Sequence, residues 1–518
     1  MKIVSVNQMK EMETRAESAG LPSPVLMENA GRSSAREIEE AYRPLSGKKI
    51  MVLVGPGNNG ADGLVAARYL RAGGARVNVI LGAPRKLPDR NLESVREEHI
   101  PVIDAWKDLP EAEKAMSGSS IVVDSLFGTG KARAIEGVYK QMLDRLREYK
   151  SRNPALKVVS LDLPSGMDAD TGSVDPSTCH ADLTVTMAFP KRGFFALPGA
   201  EYLGHLRVVD IGIAEELAKD IDTELLSADW ARSHLPARPI GAHKGTFGRV
   251  LVIGGSSRYF GAPYLACAGA YRAGAGLVTL ASTRKVTELV GARSVETTYL
   301  PLPESEEGNI DSSAFQTLSD NLDGCRVILI GPGIGTSRET AGFLRRILSS
   351  PEISEIPVVL DADALNLVGA DTPTRWQALS SKVILTPHPA EFARLSGLAI
   401  ADIQRDRLNK AKEFAAKWDK VVVLKGAFTV VAGPEGHVMV SPWANPALAT
   451  AGTGDVLSGI ISGFLAQGAE ALQAAGLGVY VHGLAGEMMK CELGEAGALA
   501  SDLLPRIPLA MKKTRQST

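Results

Sequence analysis

The sequence is short of cysteine, of net charge and of long apolar runs, and each shortage excludes something. Its four cysteines, Cys179, Cys267, Cys325 and Cys491, lie far apart with no CxxC or Cys/His spacing. Zinc or dithiol chemistry is therefore not expected, and the four read as buried small hydrophobes of a reducing compartment. The formal charge is −2, which leaves no electrostatic footprint for nucleic acid or a membrane surface. The basic end, Lys512, Lys513 and Arg515, reads as a solvated tail. No run reaches the length of a membrane span. The first residues are polar and acidic through Glu17, unlike a signal peptide, so the expected location is the cytoplasm. No repeat of solenoid length appears.

What is present is an α/β pattern. With 518 residues the chain exceeds one ordinary core, so at least two domains are expected. Much of the glycine, 52 residues, follows short apolar runs, as in folds that bind ligands at strand ends. The most informative stretch is Thr450 to Gly463, TAGTGDVLSGIISG. Val456, Leu457, Ile460, Ile461 and Phe464 recur at helical spacing, so an apolar helix face begins just after Asp455. Gly452 and Gly454 allow a tight turn, and the first amides of a helix favour negative charge. The result is an anion site with a carboxylate at its edge. The plainer alternative is that Asp455 only caps the helix.

The N-terminal half opens with helices over residues 1–46, where Glu28 and Asn29 read either as lining a pocket or as caps. A buried strand, Lys48 to Val54, then runs into GPGNNGADG, where Gly55, Gly57 and Gly60 satisfy GxGxxG before the helix LVAARYLRAGG. A dinucleotide site would also need an acid roughly 20 residues on, after the second strand. The strand Val77 to Leu81 ends instead in Gly82, Ala83, Pro84 and Arg85, which disfavours a bound hydride cofactor. Asn58, Asn59 and Asp62 offer oxygens suited to a ligand or a hard cation. Two more strands end in acids: IVVDS at Asp124, and VVSLDLPSG at Asp162 with Ser165 in the turn. Further strands are expected over Asp182 to Phe189 and Leu206 to Gly212. Ile213 to Asp222 reads as a charged helix and Leu225 to Pro239 as a polar stretch, so the domain break is placed at Asp222.

The second half repeats the strand-then-glycine style without the same order. Val250 to Gly255 leads to the small-residue helix Gly261 to Gly276, and VILIGPGIG, PVVLDADAL, KVILTPHPAE and VVVLKGAFTVV follow. His388, between two prolines at a strand end, reads either as structural or as a ligand contact. Lys425 reads either as a surface lysine or as a phosphate contact.

These motifs, in this order, resemble a known pair of domains spanning nearly the whole chain. GPGNNGADG, VVDSLFGTG and LDLPSG resemble the NAD(P)H-hydrate epimerase domain. HKGTFGRVLVIGGS, GPGIG, TPHPAE, KGAFT and NPALATAGTGDVLSG resemble the ADP-dependent NAD(P)H-hydrate dehydratase of the ribokinase-like group. The resemblance implies a Rossmann-like three-layer α/β/α domain over 1–222 and a ribokinase-like α/β/α domain over 223–518. It implies repair of hydrated NADH and NADPH, in which the R and S hydrates interconvert and the S hydrate is dehydrated using ADP. By the same resemblance, Asp162 and Asp455 are catalytic. Asn58, Asn59, Gly60, Ala61, Asp62, Gly128, Thr129, Gly130, Lys131, Ala132, Arg133, Ala134 and Asp162 would hold the substrate for epimerisation. Ala262, Gly333, His388 and Asp455 would contact the hydrate for dehydration. Lys425, Gly426, Ala427, Phe428, Thr429 and Gly454 would hold the nucleotide. Asn59, Asp124 and Ser165 would bind potassium, and magnesium is expected with the ADP. A homo-oligomer is expected. The chain departs from the family at Ala61, Ala390 and Ala451, where glycine is usual. Rival readings are a ribokinase-type small-molecule kinase with an accessory N-terminal binding domain, an RNA-assembly scaffold and an NAD-dependent oxidoreductase.

Overall fold

The computed structural model describes residues 1–130, 134–370 and 382–516. The chain separates into two compact units, Met1–Asp222 and Thr223–Thr518. Among the described residues no helix is long and apolar enough to cross a membrane.

Among the described residues the first unit is built on seven strands: β1 (Lys49–Val54), β2 (Arg76–Leu81), β3 (Val102–Asp104), β4 (Ile121–Ser125), β5 (Lys157–Leu161), β6 (Leu183–Met187) and β7 (His205–Val209). Their order is β3-β2-β1-β4-β5-β6-β7, with every neighbouring pair parallel. Residues of β1 alternate between two cores: Ile50, Val52 and Val54 join one, Met51 and Leu53 the other. A sheet buried on both faces must read as a continuous apolar run, as KIMVLV does. Strand order reverses between β1 and β4, so their carboxyl ends diverge and leave a crevice.

The second unit contains β8 (Thr223–Leu225), β9 (Arg249–Ile253), β10 (Leu277–Thr283), β11 (Thr298–Leu302), β12 (Cys325–Ile330), β13 (Val358–Leu360), β14 (Val383–Leu385), β15 (Val421–Leu424), β16 (Val430–Ala432) and β17 (Val438–Val440). The sheet order is β11-β10-β9-β12-β13-β14-β15-β16-β17-β8. Strands from β11 to β15 are parallel, β16 is antiparallel to both neighbours, and β8 pairs parallel with β17. The reversal here lies between β9 and β12. The helix Thr453–Ala466 is apolar nearly all round and packs against the helix Gly261–Ala273. Small residues make that approach possible: a Cβ at Gly459 would lie 2.2 Å from the Ala266 carbonyl oxygen.

Several local expectations change. The helix after β1 starts at Asn58, six residues before LVAARYLRAGG, so Asn58, Asn59 and Asp62 lie on its first turns rather than in a loop. Ile213 to Asp222 holds only a short 3-10 turn, Glu215–Ala218. The polar stretch after it supplies β8 and the helix Ala228–His234. The basic end is no solvated tail: it is the helix Arg506–Gln516, with Ile507, Ala510 and Thr514 buried. Cys179 and Cys267 are buried, but Cys325 is half-buried and Cys491 is exposed.

Two candidate active sites

In the first unit, the β1 turn is shaped by close backbone approach. A Cβ at Gly55 would sit 1.8 Å from the Leu126 carbonyl oxygen, and one at Gly63 would sit 2.0 Å from Ser125 Oγ. The glycines thus bring the helix Asn58–Ala72 down onto the ends of β1 and β4. A cavity of about 910 Å3 opens there, lined among others by Asn58, Asn59, Asp62, Asp162 and Lys191. Gly128, Thr129, Gly130 and Ala134 also line it, whereas Gly60 and Ala61 are buried in the helix and do not. Lys131, Ala132 and Arg133 lie outside the described residues.

Asp162 follows β5 with φ +64°, a conformation a non-glycine residue holds only when its surroundings enforce it. The enforcement is visible. The Asp162 amide donates to Val185 O at 2.7 Å, and its carboxylate accepts from Lys191 Nζ at 2.5 Å and from Thr186 Oγ1 at 3.3 Å. Lys191 is only 1% exposed and donates also to Thr186 Oγ1 (2.6 Å) and Met187 O (3.3 Å). Asp62 shares the cavity, and burial, reinforced by Asp162 and Glu13, pushes its carboxyl well above the ordinary range. Glu13 is pushed up likewise, by burial and then by Asp162.

Beside these, Asp124 is buried, and burial raises its pKa despite hydrogen bonds from Ser165 Oγ (2.6 Å), Ser165 N (2.9 Å) and Leu126 N (3.2 Å). Asn59 Nδ2 donates to Phe127 O (2.8 Å) and Leu161 O (3.1 Å), which turns its carbonyl the other way. Asn59 Oδ1 is buried with no hydrogen-bond partner. An orphaned amide oxygen and a buried carboxylate, with no described lysine or arginine on either, form a donor set that fits a hard monovalent cation.

In the second unit, Gly452 holds φ +93° and the helix Thr453–Ala466 begins immediately after it, so Asp455 lies in the first turn. Thr453 Oγ1 ties the turn to Leu448 O (2.8 Å) and Thr450 O (2.9 Å), and buried His482 bonds Thr453 O at 3.0 Å. Lys425 follows β15 and reaches past β14 to the end of β13. Its Nζ lies 2.7 Å from Asp361 Oδ1 and 3.8 Å from Glu391 Oε2, and a Cβ at Gly454 would be 3.4 Å from it. Burial disfavours its charge, but Asp361 and Glu391 outweigh that and raise its pKa. Burial pushes Asp455 up to about 7, with Asp361 adding to the rise and Lys425 opposing it. Glu391 also rises to about 7 by burial, opposed by Lys425. One lysine therefore serves three carboxyls, and Asp361 Oδ2 is left buried without a hydrogen-bond partner.

His388 is half-exposed and caps the helix Pro389–Ser396 through Nδ1, while its amide donates to Glu391 at 2.7 Å. Both its capping role and its open face are thus present. The turn after Lys425 is strained at Phe428 (φ +51°) and closed by Thr429 Oγ1 to Gly426 O at 2.9 Å. Buried Arg407 supports it through Leu424 O and Lys425 O. Ala427 lies within this turn. Gly333 follows β12 with φ +66°, and a Cβ there would stand 3.3 Å from that of Ala262. The turns after β9 and β12 meet through Gly255 N to Pro332 O at 2.9 Å, which places Gly333 and Ala262 at the strand-order reversal. None of Ala61, Ala390 and Ala451 has positive φ, so alanine is sterically admissible at all three.

Lys191, Asp361, Glu391 and His482 were not singled out from sequence. Asp361 was findable, since it stands at a strand end in LDADAL as Asp162 does in LDLPSG. Lys191 and His482 carry no local signal.

Comparison with known proteins covers both units. Residues 250–509 match the family described as NAD(P)H-hydrate dehydratase, and residues 23–193 match the family described as YjeF-related protein N-terminus. The chain is similar to the bifunctional NAD(P)H-hydrate repair enzyme Nnr of Moorella thermoacetica, at 38% identity over 100% of this chain and 98% of the relative. Against the enzyme of the same name from Thermofilum pendens the identity is 36%, over 100% and 97%. A solved ribokinase-like superfamily protein from Enterococcus faecalis shares 29% identity with a TM-score of 0.50, covering 57% of this chain and 98% of that one.

Proposed function

The chain belongs to the family of bifunctional NAD(P)H-hydrate repair enzymes, and from that premise we propose how its two sites divide the work. The first unit interconverts the R and S hydrates of NADH and NADPH. The second consumes the S hydrate and ADP, and releases reduced nicotinamide cofactor, AMP and phosphate. The observation that carries the second assignment is a carboxyl at a helix start, lifted to about 7 and set beside a buried lysine.

For dehydration, hydroxide at the hydrated ring carbon is a poor leaving group. Asp455 takes the hydroxyl proton, and a carboxyl titrating near 7 is well matched to that task. The freed oxygen attacks the terminal phosphorus of ADP, and AMP departs. Backbone amides at Gly454 and its neighbours face the charge that develops on the transferred phosphoryl group. The new phosphate ester leaves as inorganic phosphate, driven by the ring-nitrogen lone pair, and loss of the adjacent ring proton restores the dihydropyridine. The turn Lys425–Thr429 lies on the nucleotide side, and Ala262, Gly333 and His388 on the hydrate side. Magnesium supplies counter-charge to the phosphates. Among the described residues no cluster of three His, Cys, Asp or Glu side chains forms a metal cage. Asp361, whose Oδ2 is buried without a hydrogen-bond partner, would help to hold the ion.

For epimerisation, the carbon bearing the hydroxyl also bears the ring nitrogen, so the C–O bond breaks with nitrogen assistance. Asp162 passes a proton to the departing hydroxyl and takes one back from the water that returns on the opposite face. Lys191 holds the carboxylate oriented between the two transfers. Asn59 Oδ1 and Asp124, with Ser165 fixing the latter, would hold potassium, which would supply positive charge beside the buried carboxyl.

The test is a pair of variants on the full chain. Asp455→Asn is expected to abolish dehydration and keep epimerisation, and Asp162→Ala the reverse. Unchanged dehydration in the first, or unchanged epimerisation in the second, removes that assignment.

A further inference from the structure

The turn between β9 and the helix Gly261–Ala273 exposes a large aromatic side chain at the carboxyl end of the sheet. Tyr259 is 56% exposed in a chain with only 5% aromatic residues. Among the described residues its ring and hydroxyl have no hydrogen bond and no ring partner. The backbone beneath it is nevertheless fixed. Ser256 and Tyr259 exchange backbone hydrogen bonds, Ser256 N to Tyr259 O at 3.3 Å and Tyr259 N to Ser256 O at 3.1 Å. Against this turn sits the GPGIG turn: a Cβ at Gly333 would lie 2.6 Å from Tyr259 Cβ and 2.9 Å from its carbonyl oxygen. The helix that Tyr259 leads into touches the Asp455 turn, since a Cβ at Gly452 would lie 2.6 Å from Leu265 Cδ1. A rigid stem, a free ring and a place at the strand-order reversal are the features of a ligand platform.

We propose that Tyr259 is a substrate-positioning residue of the dehydratase site, its ring forming the apolar face on which the nicotinamide end of the hydrate lies. This rests on the second unit being the dehydratase. The chemistry gives the ring a direction of preference. In the hydrate, three carbons of the nicotinamide ring are tetrahedral and the ring is puckered; as phosphate departs and the adjacent proton is lost, two of them become trigonal and the ring flattens towards the dihydropyridine. A flat aromatic face packs better on the flattened ring, so contact strengthens along the reaction. The hydroxyl of Tyr259 is not required; the face is.

The experiment compares wild type, Tyr259→Phe, Tyr259→Leu and Tyr259→Ala in the full chain, with (S)-NADH hydrate and ADP varied separately. Tyr259→Phe should match wild type. Tyr259→Ala should lose roughly three- to tenfold in kcat/KM for the hydrate while the KM for ADP is unchanged. Tyr259→Leu, which keeps bulk without a flat face, should fall between. Equal hydrate kcat/KM in Tyr259→Ala and wild type overturns the proposal, as does a loss borne by the ADP KM. If Tyr259→Ala fails to bind ADP, and so has not folded correctly, Tyr259→Leu against Tyr259→Phe decides alone. A wild type that does not dehydrate the hydrate at all refutes the dehydratase reading instead. Wild-type turnover with an unaffected Tyr259→Ala refutes only the platform.

Discussion

Asp455→Asn should make the protein more stable at neutral pH while destroying its dehydratase activity. Burial lifts the Asp455 carboxyl from its ordinary 3.8 to about 7. Between those two values the native state holds a proton that the unfolded chain has released. Stability therefore falls as pH rises through that window, and the whole cost is present above about 7. Three factors of ten in proton affinity set a ceiling of ~4 kcal/mol. Asparagine cannot ionise, so it escapes the cost, but it also gives up attraction to Lys425, which leaves a net gain of about 1–3 kcal/mol. In thermal unfolding of the full chain at pH 8, the transition of the second unit should rise by roughly 3–8 °C, and at pH 4 the gain should vanish. Equal unfolding temperatures across this range, or a less stable variant at pH 8, would refute the reasoning that the base is held at an energetic cost. The same carboxyl should shape catalysis: kcat/KM for dehydration should climb as pH rises through about 7 and then level off. Glu391 rises to about 7 as well and shares Lys425, so the inflection belongs to the pair.

Three further outcomes follow from the geometry. Lys425→Met strips from Asp361, which is 1% exposed, the one cation that the described residues place on it, and should cost ~3–5 kcal/mol of stability, more at pH 8 than at pH 5, in denaturant titration. Lys191→Met should leave the fold of the first unit detectable by circular dichroism but cut epimerase kcat at least tenfold with a smaller change in KM, because Asp162 loses its orientation at φ +64°. A wild-type profile with Lys191→Met would end its positioning role. Asn59→Leu removes the orphaned Oδ1 and should abolish any rise in unfolding temperature that potassium chloride gives over lithium chloride; a potassium increment that survives would place the ion elsewhere.

Much of this was legible because its causes are local. A strand buried on both faces must be apolar throughout, so β1, β4, β12 and β15 announce themselves, and the glycine turns after them mark the ligand end. Asp455 could be placed on the first turn of its helix because the apolar spacing of Val456, Leu457, Ile460 and Ile461 starts right after it. What was not legible depends on partners distant in sequence. The start of the helix at Asn58 is dictated by packing of Gly60 and Gly63 against Gly55 and Ser125, not by the asparagines, which look like turn formers. The sequence leaves Lys425 open as a surface lysine or a phosphate contact; its partner Asp361, 64 residues away and 2.7 Å from its Nζ, is not legible there. Lys191 is silent in FPKRG because its meaning lies in Asp162, across β6. The basic end looked solvated because Lys512, Lys513 and Arg515 hide the buried face of Ile507, Ala510 and Thr514.

The most direct test follows the terminal phosphate of ADP. Wild-type protein with (S)-NADH hydrate and ADP labelled in that phosphate should yield reduced nicotinamide, AMP and labelled inorganic phosphate in equal amounts. Adding the R hydrate instead should give the same products, limited by Asp162. A stable phosphorylated product with no return of reduced-nicotinamide absorbance would contradict the account and make the second unit a small-molecule kinase.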